Sequence, residues 1–398
     1  MIDWIFFSVR KFKIKEEIVS KENKKRRTNL RKKFILLLGE VGMKKALLCS
    51  LLFFIGMNIV SASIDTAHEY VLMDETTGRV LAGKNYNTPM LIASITKIMT
   101  CLLAIESEKL EDTVVVDEVI KESYGSGIYI EVGEEIKLRD LLYGLMLRSG
   151  NDAALMVAEY VGGSVEKFVE KMNQKAKEIG MTNTIFVNPS GLDNSDSGNY
   201  STAYDMALLT RYAMKYEDYR EIVKTKSYTV KTNKKTYVWK NKNKLLAEDY
   251  ITGGKTGYTE KAKRTLVSTA SSDNIDLIVV TIKDSDDWNT HKSLYEYAFN
   301  NYIAYRVLNK SKFEVIGDTY YHGEFYIKND VYIPFKKDEL GSLVGKIQLE
   351  KKKNYKENDK VGQYLIYLDK TLLYKENIYI ENIEKKNKGI LDCLKGIM

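Results

Sequence analysis

Apolar positions along this chain keep two periods up to about residue 300 and a single one beyond it. Residues 95–103 form a mostly apolar run without Gly or Pro that reads as a buried helix, and residues 138–160 and 165–179 repeat at helical spacing. Residues 70–74, 265–270 and 275–282 are short and rich in β-branched residues, as strands are. Helices interleaved with strands in this way predict an α+β domain. From residue 312 onward short alternating runs dominate: 324–327, 331–334, 346–349, 363–368 and 371–373, split by polar turns such as Asp369-Lys370. They predict a small all-β domain, so the expected boundaries are 63–304 for the first domain and 305–384 for the second.

The two ends follow other patterns. Met43-Lys44-Lys45, the apolar residues 46–60 and Ser61-Ala62 have the three parts of a secretory signal, with cleavage expected after Ala62. The apolar core is too short for a comfortable membrane span. Residues 1–42 form a basic leader that a signal should not follow, so translation is expected to start at Met43. In the tail, residues 385–398, Ile390, Leu391, Leu394, Ile397 and Met398 recur on one helical stripe with lysines nearby. The expectation is an amphipathic anchor on a membrane surface. Together these place the protein outside the cytoplasmic membrane, peripheral on its outer face.

Charge changes the picture once it is located. The net charge is +7, but Met1 to Lys45 holds 14 Lys/Arg against 5 Asp/Glu, leaving 47 basic and 49 acidic residues beyond it. Nucleic-acid binding thereby loses its electrostatic basis. Cys101 and Cys393 are the only cysteines beyond Ala62, which rules out a disulfide framework. No Cys/His cluster has metal-ligand spacing, and neither a metal nor a cofactor is expected.

Three short words carry the chemistry. Ser94-Ile95-Thr96-Lys97, Ser149-Gly150-Asn151 and Lys255-Thr256-Gly257 stand in the order of the S-x-x-K, S-D-N, K-T-G signature, here with Gly150 in the middle of the second word. Ser8 to Lys11 and Ser164 to Lys167 also match the first word, and Ser272-Asp273-Asn274 matches the second better. Context removes them: Ser8 lies in the basic leader, Ser164 stands where a helix cap is expected, and Ser272 lies in a polar turn after Lys255. Ser94 instead opens the buried helix, with Lys97 one turn on over the same face.

A serine hydroxyl needs an adjacent base and a site for the oxyanion. His68, His291 and His322 have no paired spacing, so lysine is the expected base. Lys97 serves if burial and a second cation, Lys255, hold its amine uncharged. Ser94 is then the nucleophile, and Ser149 relays the proton to the leaving amine. Asn151 holds either the substrate backbone or Lys97, while Lys255 and Thr256 bind a terminal carboxylate. Gly257 leaves room for a peptide to approach the strand at its edge.

On these words the chain resembles the D-alanyl-D-alanine carboxypeptidases, the low-molecular-weight penicillin-binding proteins. Similar phrasing runs through Thr77-Gly78-Arg79-Val80-Leu81, Asp140 to Leu145, Asn188-Pro189-Ser190-Gly191-Leu192 and Tyr200 to Ala207. The resemblance implies a penicillin-binding/β-lactamase-like domain, an antiparallel sheet flanked by helices, followed by a small all-β domain. It implies a peptidoglycan stem peptide ending in D-Ala-D-Ala as substrate, an acyl-enzyme on Ser94, and β-lactams as inhibitors. It implies, too, an oxyanion hole formed by the backbone N–H groups of Ser94 and Tyr258. At Ala262-Lys263-Arg264 the chain departs from the family's Ala-Gly. The alternatives are a β-lactamase-like hydrolase, for which Glu159 and Glu166 fall on expected helices rather than in a deacylation loop, and a non-catalytic peptidoglycan-binding relative.

Overall fold

The computed structural model describes residues 4–8, 66–194 and 197–383. The signal segment, nearly all of the leader and the tail from residue 384 lie outside the described residues. Within them no helix is long and apolar enough to cross a membrane.

The chain divides into two compact units. Among the described residues the larger holds 66–311 and Ile327–Gly341, and the smaller holds Lys312–Tyr326, 342–383 and Trp4–Ser8. The larger unit is built on a five-stranded antiparallel sheet. Its strands are β1 (Ala67–Asp74), β2 (Val80–Lys84), β3 (Ile251–Thr259), β4 (Lys263–Ser272) and β5 (Ile275–Asp284), in the spatial order β3-β4-β5-β1-β2.

Side chains alternate across this sheet, and each set is apolar. Val71, Met73, Val267, Ile278 and Val280 lie on the face covered by the helix Ala203–Ala213 and share one apolar cluster with α1 (Lys97–Glu106), whose residues 97–105 are all buried. Leu72, Leu266, Leu277 and Val279 face Leu294, Tyr295 and Ala298 on a C-terminal helix, Asp287–Asn301. Each fully buried aliphatic side chain contributes on the order of 1.5–3 kcal/mol. A helix apolar on every side, as α1 is, has to lie inside the fold.

The sequence expects one helical stretch over 138–160, and the structure breaks it. α2 (Leu138–Tyr143) passes into a π turn over Gly144–Arg148, Ser149 sits in the left-handed region at φ 64°, and α3 (Asn151–Gly162) starts afresh. The apolar period survives the break, which is why the pattern does not reveal it. α4 (Val165–Glu178) follows, capped by Ser164, whose Oγ accepts from the Lys167 amide at 3.2 Å. That cap explains the Ser164 look-alike. Ser272-Asp273-Asn274 is a turn, with Asp273 and Asn274 both at positive φ.

The described residues of the smaller unit form a β domain. Glu324–Tyr326, Leu343–Glu350, Lys360–Leu368 and Thr371–Glu381 form an antiparallel sheet, and Trp4–Ser8 pairs with Leu343–Glu350 at its edge. The division falls after Ser311 rather than at the 304/305 boundary read from the sequence. Val331–Phe335, expected in the β domain, instead pairs with Ile303–Leu308 in the larger unit, with Ile303 opposite Phe335. Arg79 secures that return, donating to the Pro334 carbonyl at 2.7 Å and to Glu339 at 2.9 Å. A two-residue period identifies a strand but not the sheet it joins.

Candidate active site

Ser94 lies in a 3-10 turn, Ala93–Thr96, that runs directly into α1. Lys97 is completely buried, and its Nζ is 2.7 Å from Asn151 Oδ1, 2.5 Å from the Ser190 carbonyl and 3.2 Å from Ser94 Oγ. Burial, then the charges of Lys255 and Lys242, push this amine well below its ordinary pKa, against a smaller opposing pull from Asp152. A neutral amine has two hydrogens. The two carbonyl-type oxygens can only accept, so they take both, and the nitrogen lone pair is left for the Ser94 hydroxyl.

Ser149 comes from the break between α2 and α3. Its left-handed backbone is sparsely populated for a residue with a side chain, a form of strain found where a group is being aimed. Its Oγ accepts from Lys255 Nζ at 3.1 Å. The same Nζ donates to the Thr256 carbonyl at 2.6 Å, and burial together with Lys242 lowers Lys255 to about 7. A Cβ at Gly150 would stand 2.9 Å from Asp152 Oδ1, which accounts for the glycine in the second word.

Asn151 Oδ1 accepts from Lys97 Nζ. Its Nδ2 donates to the Tyr124 carbonyl at 2.6 Å, which fixes which end is which. β3 is an edge strand and passes close to the start of α1. A Cβ on Gly257 would lie 2.3 Å from Thr265 Oγ1 and 3.0 Å from the Ser94 nitrogen, so only glycine lets the strand approach this closely. Thr256 is half-buried beside it, and the Tyr258 ring is 61% exposed, leaving its backbone as the part next to Gly257.

The structure therefore brings the buried Lys97, Ser149, Asn151 and Lys255 together with the half-buried Ser94, and Thr256, Gly257 and Tyr258 lie along the more exposed edge. Two participants escaped sequence reasoning. The Ser190 carbonyl acts through backbone, which side-chain motifs do not report. Its segment Asn188-Pro189-Ser190-Gly191-Leu192 carried a resemblance but no role. Gly191, at φ 83°, packs its backbone on Ala93, where a Cβ would lie 1.9 Å from the Ala93 oxygen. Lys242 is one lysine among many in the sequence, and only the fold puts its charge beside Lys255 and Lys97. Among the described residues no group of three metal-binding side chains assembles.

Comparison with known proteins gives one consistent result. The family model described as D-alanyl-D-alanine carboxypeptidase (peptidase S11) matches residues 57–286, and that described as penicillin-binding protein 5, C-terminal domain, matches residues 312–386. The chain is 33% identical over 353 residues to D-alanyl-D-alanine carboxypeptidase DacF of Bacillus subtilis, covering 77% of this chain and 90% of that protein. It is 29% identical to DacA of Haemophilus influenzae, covering 80% and 85%. The solved structure of penicillin binding protein 5 from Haemophilus influenzae superposes with a TM-score of 0.64 at 28% identity, covering 80% of this chain and 97% of that one.

Proposed function

The chain belongs to the D-alanyl-D-alanine carboxypeptidase family of S11 peptidases and is a serine-type DD-carboxypeptidase, and we propose that it works through an acyl-enzyme on Ser94. The observation that carries this reading is the Lys97 amine, fully buried, held by the Asn151 and Ser190 oxygens and 3.2 Å from the Ser94 oxygen, in surroundings that push its pKa well down.

In acylation the Ser94 O–H gives its proton to Lys97 as Oγ bonds to the carbonyl carbon of the penultimate D-alanine. The Ser94 and Tyr258 amides receive the oxyanion, a placement supported by the closeness that Gly257 permits. The C–N bond then breaks, and Ser149 passes the proton to the leaving amine, which departs as D-alanine. Water, deprotonated by Lys97, hydrolyses the ester and restores Ser94. Lys255 and Thr256 hold the terminal carboxylate, and Lys242 adds positive field to that end of the site.

Membership of the family implies peptidoglycan peptides ending in D-Ala-D-Ala as substrates and binding of β-lactams. Secretion on the 43–62 signal, peripheral attachment through residues 385–398 and the absence of nucleic-acid binding rest on sequence alone; a truncated chain ending at Ile383 that leaves the membrane fraction supports the anchor. The direct test is incubation with a D-Ala-D-Ala pentapeptide and, separately, with labelled penicillin. Free D-alanine and an adduct on the peptide bearing Ser94 are expected; an adduct elsewhere overturns the nucleophile.

A further inference from the structure

The segment from Asn188 to Asn194 touches both halves of the site. At one end the Asn188 side chain accepts from the amides of Ser190 at 3.1 Å and Gly191 at 2.7 Å, setting the Ser190 carbonyl that holds Lys97. At the other end Asp193 Oδ2 accepts from Thr259 Oγ1 at 2.8 Å, and the Asn194 carbonyl accepts from Lys261 Nζ at 2.6 Å. Thr259 Oγ1 also accepts from the Ala262 amide at 3.0 Å, so one hydroxyl joins the β3–β4 turn to the segment.

Thr259 is the last residue of β3 and next to Tyr258. Among the described residues β3 is paired on one side only, by β4, and its other edge carries no strand. Gly257 contributes no side chain to steady it. The lateral placement of the strand's end therefore depends on what grips it from the unpaired side, and Asp193 is a charged acceptor there.

We propose that Asp193 is a positioning residue for acyl transfer: through Thr259 it holds the end of β3, and with it the Tyr258 amide, in register with the segment that orients Lys97. The inference rests on the acyl-enzyme reading above. Its effect falls on the acylation step, because a donor displaced by a fraction of an ångström still binds ground-state peptide but stabilises the oxyanion less.

The experiment measures the acylation rate of Ser94 by a fluorescent penicillin, KM for a D-Ala-D-Ala peptide and the melting temperature, in the wild type and in Asp193→Ala, Asp193→Asn, Thr259→Val, Thr259→Ser and the double variant Asp193→Ala/Thr259→Val. Asp193→Ala and Thr259→Val are each expected to slow acylation by about tenfold to a hundredfold with KM little changed. The double variant is expected to be no slower than the slower single one, because both remove the same bond. Asn at 193 and Ser at 259 keep an acceptor and a donor, and are expected to recover acylation to within about threefold of wild type. Unchanged acylation, losses that multiply in the double variant, or losses that merely follow the folded fraction overturn the inference. Wild-type labelling away from Ser94 overturns the acyl-enzyme reading itself; labelling at Ser94 that is equally fast in Asp193→Ala overturns the positioning role alone.

Discussion

Two serines stand on opposite faces of the same sheet, each beside a nitrogen base, and only one pair is proposed to do chemistry. Ser94 meets Lys97 at 3.2 Å on the α1 side. On the other side Ser268 Oγ meets His291 Nδ1 at 2.6 Å, a closer contact with a more familiar base. The second pair is saturated: the Tyr295 hydroxyl lies 2.7 Å from Ser268 Oγ, and Thr281 Oγ1 lies 3.1 Å from His291 Nε2. Ser268 and His291 are both fully buried, and burial pushes the imidazole down to about 3. Ser94 is only half-buried and lies beside an edge strand. A short serine–base contact is thus no measure of reactivity; access and an uncommitted lone pair decide it.

The largest expected contrast is between the serines themselves. Ser94→Ala is expected to lower D-alanine release by roughly 10⁴-fold or more, whereas Ser268→Ala leaves the rate per folded molecule within about twofold. Equal losses in the two variants would erase the distinction. Release assays normalised to folded protein read it.

Titration separates the sites next. As pH falls, Lys97 takes a proton and its lone pair is lost, so kcat/KM drops on the acid side. As pH rises through about 7, Lys255 loses the charge proposed to hold the carboxylate, and kcat/KM drops again. Lys255→Arg is expected to move the alkaline fall upward, because guanidinium stays charged. His291 adds no limb near neutrality. A profile whose alkaline fall is unmoved by Lys255→Arg would remove Lys255 from the carboxylate site.

Stability sharpens the comparison from the other side. His291→Leu leaves the Thr281 hydroxyl without its ring partner and Ser268 without one of its two, and is expected to cost about 1–3 kcal/mol. Thermal unfolding measures the loss, while penicillin labelling per folded molecule stays unchanged. The smallest effect belongs to the strand that both sites share. Lys263, at φ 61°, opens β4 in a backbone conformation that glycine adopts without strain, and Lys263→Gly is expected to stabilise the fold by up to about 1 kcal/mol, visible as a small rise in melting temperature.

How far the site was legible follows from the kind of signal each part leaves. Ser94, Lys97, Ser149, Asn151 and Lys255 are side chains in ordered words, and context sufficed to discard Ser164 and Ser272. The left-handed break at Ser149 was hidden because helical periodicity runs through it. The serine–histidine contact was hidden as well: three scattered histidines gave no sign that the sheet would set one against Ser268. Val331–Phe335 read correctly as a strand and incorrectly as part of the β domain, because its partner lies in Ile303–Leu308.

By itself the sequence determined the class of reaction and the class of fold, and it named the proposed nucleophile, base and strand glycine, since these must be particular residue types at particular spacings. Tertiary structure alone decided which backbone carbonyl takes the hydrogens of Lys97, how far Lys242 and Lys255 depress it, and which serine faces the cleft. Gly254 pairs with Ser268 and Lys255 with Val267, so neighbouring residues of β3 are matched to opposite faces of the sheet. Alternation is local, but what waits on each face is assembled from segments more than a hundred residues apart, and electrostatic coupling depends on those distances rather than on spacing along the chain.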